Sequence, residues 1–411
     1  MSESSCDIAI IGAGPAGAVA AAILARQGYQ VVVLERDRFP RFAIGESLLP
    51  QCMTFLEEAG LLEAVLAAGF QLKNGAAFHR NGHDFAFDFA DKLTAGWSWT
   101  FQVPRAHFDQ ILADGAAQAG ADVRFAHEMV SVDLAGERPL LEYRTPEGER
   151  GRLLARFCLD ASGFARKLAR SLALDRASEL PIRDAVFTHV TDGIDPARFD
   201  RNKILITVHP RRHHVWFWLI PFSDGTSSLG VVGAKEHFAG YAGDERAVLR
   251  AHVDEAERFG GVLERAEYGL PARRISGYAA AACSPHGRHF ALLGNAAGFL
   301  DPIFSSGVTI ALKSAALATR LVDRQLQGGA VDWEREFALP LARGVETFRH
   351  FVAAWYDGRL QDIIFASRRE PKIQRMICSV LAGYAWDEAN PFVTQSGRRI
   401  TALAEVCRRR S

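Results

Sequence analysis

Hydrophobic positions along the chain fall into three patterns. Near the start, two short runs, Asp7–Gly12 (DIAIIG) and Gln30–Glu35 (QVVVLE), flank an Ala-rich stretch from Pro15 to Gln27 that Gly28 closes. Uninterrupted apolar runs of this length read as strands buried on both faces, and strand, helix and strand in quick succession predict a parallel βαβ unit. Arg105–Ala119 has helical spacing with Gly120 as its stop, and Phe157–Asp160 is another short strand ending in a Gly-containing turn. From Asp184 to Lys235 the period shortens to two. Val, Ile, Thr, Phe and Trp dominate, with turn signals at Asp192-Gly193 and Asp224-Gly225, which predicts an antiparallel sheet. Helical periodicity returns after Gly307 and dominates Trp333–Cys407. The fold class expected is α/β. A discontinuous nucleotide-binding domain takes residues 1–75, 100–183 and 275–330. A β-rich insertion takes 76–99 and 184–274, and a helical segment takes 331–411.

Composition narrows the classes. With 48 basic and 48 acidic residues among 411, the formal charge is zero. That gives no general attraction for nucleic acid or anionic lipid. Hydrophobic residues at 48% and charged residues at 23% exclude disordered, collagen-like and coiled-coil chains. No apolar run is long enough to predict a membrane span. The six cysteines form no C-x-x-C pair and read as buried thiols of a reducing, cytoplasmic protein. His209, His213 and His214 have no convergent spacing, so no metal site is expected.

The sharpest motif is Gly12-Ala-Gly14-Pro-Ala-Gly17, a G-x-G-x-x-G between a predicted strand and helix, with Glu35 ending the next strand. Gly12 suits the tight turn, Gly14 lets a pyrophosphate approach the backbone, and Gly17 lets helix pack on strand. The helix N-terminus presents its positive end to the phosphates. Glu35 is placed to accept hydrogen bonds from a ribose. Asp160-Ala-Ser-Gly163 closes a later strand. Leu293-Gly-Asn-Ala-Ala-Gly298 follows another and leads into Phe299–Gly307.

These segments resemble the FAD enzymes of the p-hydroxybenzoate hydroxylase-like fold, in which a Rossmann-like domain carries an inserted β-rich substrate domain. The resemblance implies FAD, with G-D-A-A or a variant beside the ribityl chain. Asn295 stands where that family has Asp, and its amide can hydrogen-bond a hydroxyl without a charge. Cofactor contacts implied are Gly12, Ala13, Gly14, Ala16, Gly17, Glu35, Arg36, Arg41, Ile44, Ser47, Arg105, Asp160, Gly294, Asn295, Asp301 and Gly307.

Further motifs are similar to those of flavin-dependent halogenases. Phe39–Pro50 looks like the loop flanking the flavin. Trp216-Phe-Trp218-Leu-Ile220-Pro221 fits W-x-W-x-I-P. Phe299, Pro302, Ser305 and Gly307 fit F-x-x-P-x-x-S-x-G, and Phe70–Gly75 matches a strand carrying a lysine. In that family, reduced FAD and dioxygen oxidise halide to hypohalous acid, which a lysine hydrogen-bonds or captures as a haloamine before the halogen reaches an electron-rich carbon. The resemblance gives that role to Lys73. It gives Trp216 and Trp218 the role of a wall between flavin and substrate, and Ser306 and Gly307 that of a halide cradle at a helix start. Each assignment has a plainer competitor: an edge-strand lysine, a Trp-rich sheet core, and N-capping by Ser305 or Ser306.

Tryptophan-directed members place a Glu before the Ser of F-x-x-P-x-x-S-x-G, and here that residue is Phe304. A phenol or pyrrole, which activates itself by losing its own proton, therefore fits better, either free or tethered to an acyl carrier protein. With no second dinucleotide fingerprint, a separate NAD(P)H-dependent flavin reductase is expected to supply FADH2 by diffusion. The alternative is another FAD oxidoreductase of this fold, either a double-bond reductase or a monooxygenase. Double-bond reductases resemble Y-x-W-x-F-P at the wall, where this chain has Trp216 and Ile220.

Overall fold

Ile8–Ile11 is the centre of the first sheet because all four of its residues are buried. In a computed structural model, which describes residues 2–178 and 180–409, it pairs in parallel with Val31–Glu35 on one side and Phe157–Asp160 on the other. The six-stranded sheet runs His286–Gly287, Phe290–Leu292, Phe157–Asp160, Ile8–Ile11, Val31–Glu35, Asp122–Phe125. The first crossover is the Ala-rich helix Pro15–Arg26, which packs between the helices Arg105–Gln118 and Ser306–Leu326. Its small side chains let the helices approach one another and the sheet closely, and ten of its twelve residues are buried. The expected limits at residues 1 and 411 lie outside the described residues.

The second sheet has seven strands and draws them from 75–88 and 184–276. The strand Arg212–Pro221 shows why alternation survives in a sheet covered on both sides. Trp216, Trp218 and Ile220 join the core shared with the C-terminal helices. Val215, Phe217 and Leu219 join a separate core beneath the helix Glu245–Glu255. Side-chain period two thus feeds two apolar layers.

One expectation about this sheet is corrected. Lys203–His209 pairs antiparallel with Arg212–Pro221 but parallel with Gly75–Arg80, so the sheet is mixed. The parallel partner comes from residues more than a hundred positions earlier, and local alternation says nothing about a partner that distant. Within the antiparallel part, the Asp224-Gly225 turn joins Arg212–Pro221 to Thr226–Gly233, with Gly225 at φ 82°. Among the described residues no helix is long and apolar enough to cross a membrane.

Candidate active site

The C-terminal ends of the first sheet's strands and one face of the second sheet line a cavity of about 520 Å³. One end is lined by Gly12, Gly14, Ala16, Glu35 and Arg36, and the other by Trp216, Trp218, Ile220 and Phe187. Arg41, Ile44, Ser47, Arg105, Gly294, Asn295 and Gly307 line it between.

At the first end the Gly-rich turn is shaped by contacts too close for any side chain. Gly12 has φ 95°, and a Cβ there would lie 2.7 Å from the Ala161 carbonyl oxygen. A Cβ on Gly17 would lie 2.0 Å from the Gly12 carbonyl oxygen. Gly14 differs: a Cβ would meet only Arg41 Nη2, at 3.7 Å. The space in front of Gly14 thus belongs to whatever fills the cavity. Ala13 does not line it; its N–H donates to Glu35 Oε2 at 2.8 Å. The Asp37 N–H donates to Glu35 Oε1 at 2.9 Å. Glu35 is therefore fixed by backbone donors at the cavity edge and keeps lone pairs for a ligand.

Two arginines hold the loop that follows. Arg105 grips Asp109 through Nε (2.7 Å) and Nη2 (3.0 Å), and its Nη1 donates to the Ile44 carbonyl at 2.7 Å. Arg41 Nη1 shares Asp109 at 3.2 Å. With its donors occupied in this way, Arg105 fixes the loop over the cavity.

Gly17, packed on the Gly12 carbonyl, is off the lining like Ala13, and three more expected contacts stand elsewhere. Asp160 is fully buried and accepts the N–H groups of Ser162 and Leu168, so it braces the turn whose next residues line the cavity. Burial raises its pKa, against the pull of those donors. Asp301 is behind the wall, accepting the Ile303 N–H and the Tyr356 hydroxyl. Ser306 is buried away from the lining, whereas Ser305 before it, at φ 55°, lines the cavity. The long helix Ser306–Leu326 begins at this turn, and Gly307 faces Phe299.

At the far end the two indoles stand on one face of the strand, with ring centroids 6.0 Å apart. Trp218 lies across its neighbour strand, where Gly230 leaves room: a Cβ there would be 2.3 Å from the ring. Its Nε1–H donates to Ser228 Oγ at 3.0 Å. Phe42 stacks on Phe187 at 6.1 Å, extending the aromatic lining.

Lys73 lies beyond this cavity. Its strand, Gln71–Lys73, pairs with Thr100–Gln102, and the residue is 1% exposed, which removes the solubility reading. Nζ donates to Ser47 Oγ at 2.7 Å and to the Leu48 carbonyl at 2.8 Å, and in the ammonium form a third hydrogen has no acceptor among the described residues. Ser305 Oγ donates to the same Ser47 Oγ at 3.0 Å. A polar chain, Ser305–Ser47–Lys73, thus joins the cavity edge to the amine.

Burial pulls the Lys73 pKa down to about 7, only partly opposed by Cys52. At neutral pH, the ammonium that donates and the amine that attacks are both populated. The folded protein therefore binds fewer protons than the unfolded chain between about pH 7 and 10.5, and stability due to this group rises with pH across that window. The slope is at most about 1.4 kcal/mol per pH unit. The rise should be missing from Lys73→Met. Urea melts at pH 7 and 9 should show the wild type gaining on the variant, and equal changes would contradict a depressed pKa.

Sequence reasoning missed a pair of a buried carboxylate and a half-buried imidazole. Glu46, 2% exposed and lining the cavity, meets His189 Nε2 at 2.6 Å through Oε1, while its Oε2 has no hydrogen-bond partner among the described residues. Burial lowers the His189 pKa, but the hydrogen bond and charge of Glu46 outweigh it and leave the pKa raised. Nothing in the Glu46 position alone signals His189, which lies on a strand 143 residues away. The open cradle at Gly14 and the Glu46 oxygen left without a partner among the described residues both fit a long ligand that is anionic in its middle and carries hydrogen-bond donors along its length, as FAD does.

Comparison with known proteins agrees with this geometry. A family model described as an FAD binding domain matches residues 5–255. The 1H-pyrrole-2-carbonyl-(peptidyl-carrier protein) chlorinase of Pseudomonas fluorescens is 28% identical, covering 98% of this chain and 95% of its own. A tryptophan 2-halogenase of Chondromyces crocatus is 33% identical over 80% of this chain, which spans 63% of that longer protein. Among solved structures, a flavoprotein/dehydrogenase from Cytophaga hutchinsonii superposes with a TM-score of 0.95 at 42% identity, covering 98% of this chain and 99% of its own. The myxobacterial chondrochloren halogenase does so with a TM-score of 0.78 at 29% identity, covering 98% and 97%.

Proposed function

The chain belongs to the FAD-binding flavoproteins, among the flavin-dependent halogenases, and from that premise we propose that it halogenates an electron-rich phenol or pyrrole, free or tethered to a carrier protein. Chloride or bromide and dioxygen are co-substrates. A separate NAD(P)H-dependent flavin reductase delivers the reduced flavin, and the buried thiols of Cys6, Cys52, Cys158 and Cys378 suit the cytoplasm, while Cys283 is exposed. FAD would supply the oxidising equivalent that turns halide into hypohalous acid. In this reading Gly12, Gly14, Ala16, Glu35, Arg41, Gly294 and Asn295 hold the cofactor, and Ser305 and Gly307 cradle the halide. Trp216 and Trp218 keep substrate out of the cavity. Lys73 hydrogen-bonds the oxidant or carries the halogen.

The observation that carries the proposal is the buried Lys73, whose amine shares Ser47 with Ser305. An ammonium placed there, with one hydrogen not taken up by Ser47 or Leu48, suits delivery of a small neutral oxidant better than it suits stability, because a buried charge without a counter-ion is unfavourable. Phe304 supports the phenol or pyrrole reading. It is buried and edge-on to Phe351 and Trp355, so no carboxylate is available there to steady a charged arenium. The carrier-linked chlorinase covers nearly the full length of both chains, which favours a pyrrole or another acyl group on a carrier.

The test is an assay of purified protein with FAD, a flavin reductase, NADH and chloride or bromide. Monochlorodimedone, a phenol panel and a carrier-bound pyrrole would be offered as substrates. Halogenated product from a phenol or pyrrole supports the reading, and product only from tryptophan overturns the substrate class. The likeness to a flavoprotein/dehydrogenase favours one alternative, an FAD-dependent double-bond reductase or monooxygenase. Halide-independent turnover would establish it, and anaerobic reduction of a polyene would select the reductase form.

The halide cradle makes its own prediction. A Cβ on Gly307 would lie 3.1 Å from the Phe299 ring, so Gly307→Val must push into the turn lined by Ser305. The halide concentration giving half-maximal rate should rise roughly tenfold, the equivalent of about 1.4 kcal/mol, with FAD still bound. An unchanged halide dependence would leave Gly307 a packing residue.

A further inference from the structure

Trp216 is held from behind. Its Nε1–H donates to the Tyr356 hydroxyl at 2.9 Å, and that hydroxyl donates to Asp301 Oδ2 at 2.8 Å. Tyr278 reaches the same oxygen at 3.4 Å, and Asp301 Oδ1 accepts the Ile303 N–H at 3.0 Å. The Arg183 guanidinium lies over the Tyr356 ring at 3.3 Å. Three segments far apart in sequence meet here: the Trp strand, the end of the helix Leu339–Tyr356, and the turn that runs through Pro302 to Ser305 and Gly307.

Resting on the halogenase reading, we propose that Asp301 and Tyr356 form a positioning clamp that ties the Trp216 side of the wall to the halide-side turn. Neither residue lines the cavity, so neither is catalytic. The clamp acts through Trp216. An indole N–H in an apolar core needs an acceptor, and the carboxylate fixes the hydroxyl so that its lone pair faces the indole. Trp218 has its own acceptor in Ser228 and is independent of this chain of bonds. Released from Tyr356, Trp216 can swing, which opens the wall and lets oxidant escape unused.

Burial pushes the Asp301 pKa up to about 6, against the donors from Tyr356, Ile303 and Tyr278 and the charge of Arg183. The groups facing the carboxylate are therefore Tyr356, Tyr278 and Arg183. Protonation below pH 6 weakens the acceptor and loosens the clamp.

The experiment is a double-mutant cycle on FAD-loaded protein with Tyr356→Phe, Trp216→Phe and the double variant. It reads halogenated product per NADH consumed. Tyr356→Phe should lower that ratio several-fold without loss of bound FAD, and the double variant should be no worse than Trp216→Phe alone. Effects that multiply would overturn the clamp. A second readout does not depend on any halogenation: the Trp216 indole N–H signal in a ¹H–¹⁵N spectrum, identified by its absence from Trp216→Phe. In Tyr356→Phe this signal should move and exchange faster with solvent, while the Trp218 indole N–H, held by Ser228, keeps its slow exchange. In wild type it should titrate near pH 6, and in Asp301→Asn it should not. A Trp216 signal unmoved by Tyr356→Phe rejects the clamp. Wild type without halogenated product but with these shifts rejects only the halogenase reading.

Discussion

Gly14→Val is expected to purify as a folded, colourless protein that does not take up FAD. The backbone at Gly14 is extended (φ −65°, ψ −178°), which valine adopts readily, and Gly14 provides no side-chain cap to the helix that follows. A Cβ there touches nothing but Arg41 Nη2 at 3.7 Å, so the folded protein loses little. The added methyls project instead into the cavity where a pyrophosphate would meet the helix start. Affinity for FAD should fall at least about a hundredfold, or roughly 2.7 kcal/mol. Flavin fluorescence quenching would measure this, with a circular-dichroism melt as the control. The neighbouring glycines sharpen the test. Gly12→Ala and Gly17→Ala put a Cβ against backbone at 2.7 and 2.0 Å, so they should lower the melting temperature whether or not FAD is present. A yellow, FAD-saturated Gly14→Val would reject the fingerprint as a cofactor site.

The βαβ unit of the first sheet was legible because its signals are local, whereas the edge strands Asp122–Phe125 and His286–Gly287 carry no such signal. Apolar runs too short for helices, the Ala-rich helix and the Gly spacing all occur within about thirty residues, and the strands fall within one residue of the expected limits. The Trp strand was legible for the same reason. What sequence could not show was who stands behind each motif. Tyr356 follows Trp216 by 140 residues and belongs to an ordinary amphipathic helix. His189 reaches Glu46 only because a separate sheet closes over the loop. The resemblance implies a cofactor contact at Asp301, but its carboxylate caps the turn Pro302–Phe304 through the Ile303 N–H and accepts the Tyr356 hydroxyl instead. A one-residue difference at the start of a helix likewise separates Ser305, on the lining, from Ser306, beneath it.

Lys73→Met should separate oxidant formation from halogen delivery. Methionine fills most of the buried stem volume without a charge, so the fold should hold or gain stability. FAD binding and NADH consumption through the coupled reductase should stay near wild type, because the amine does not line the cavity. Halogenated product should fall by at least about a thousandfold, equivalent to roughly 4 kcal/mol of lost barrier reduction, while free hypohalite accumulates in the medium. Lys73→Ala should lose product equally but also stability, since it leaves a void beside Phe89, whose ring the amine covers at 5.5 Å. The pH profile of the wild type then decides how the lysine works. With its pKa pulled to about 7 by burial, product yield falls above that pH if the ammonium donates to the oxidant, and below it if the free amine takes the halogen. Either inflection should vanish in Lys73→Met. Equal product yield from Lys73→Met and wild type would remove the lysine from the chemistry and leave Ser47 hydrogen-bonded to a structural residue.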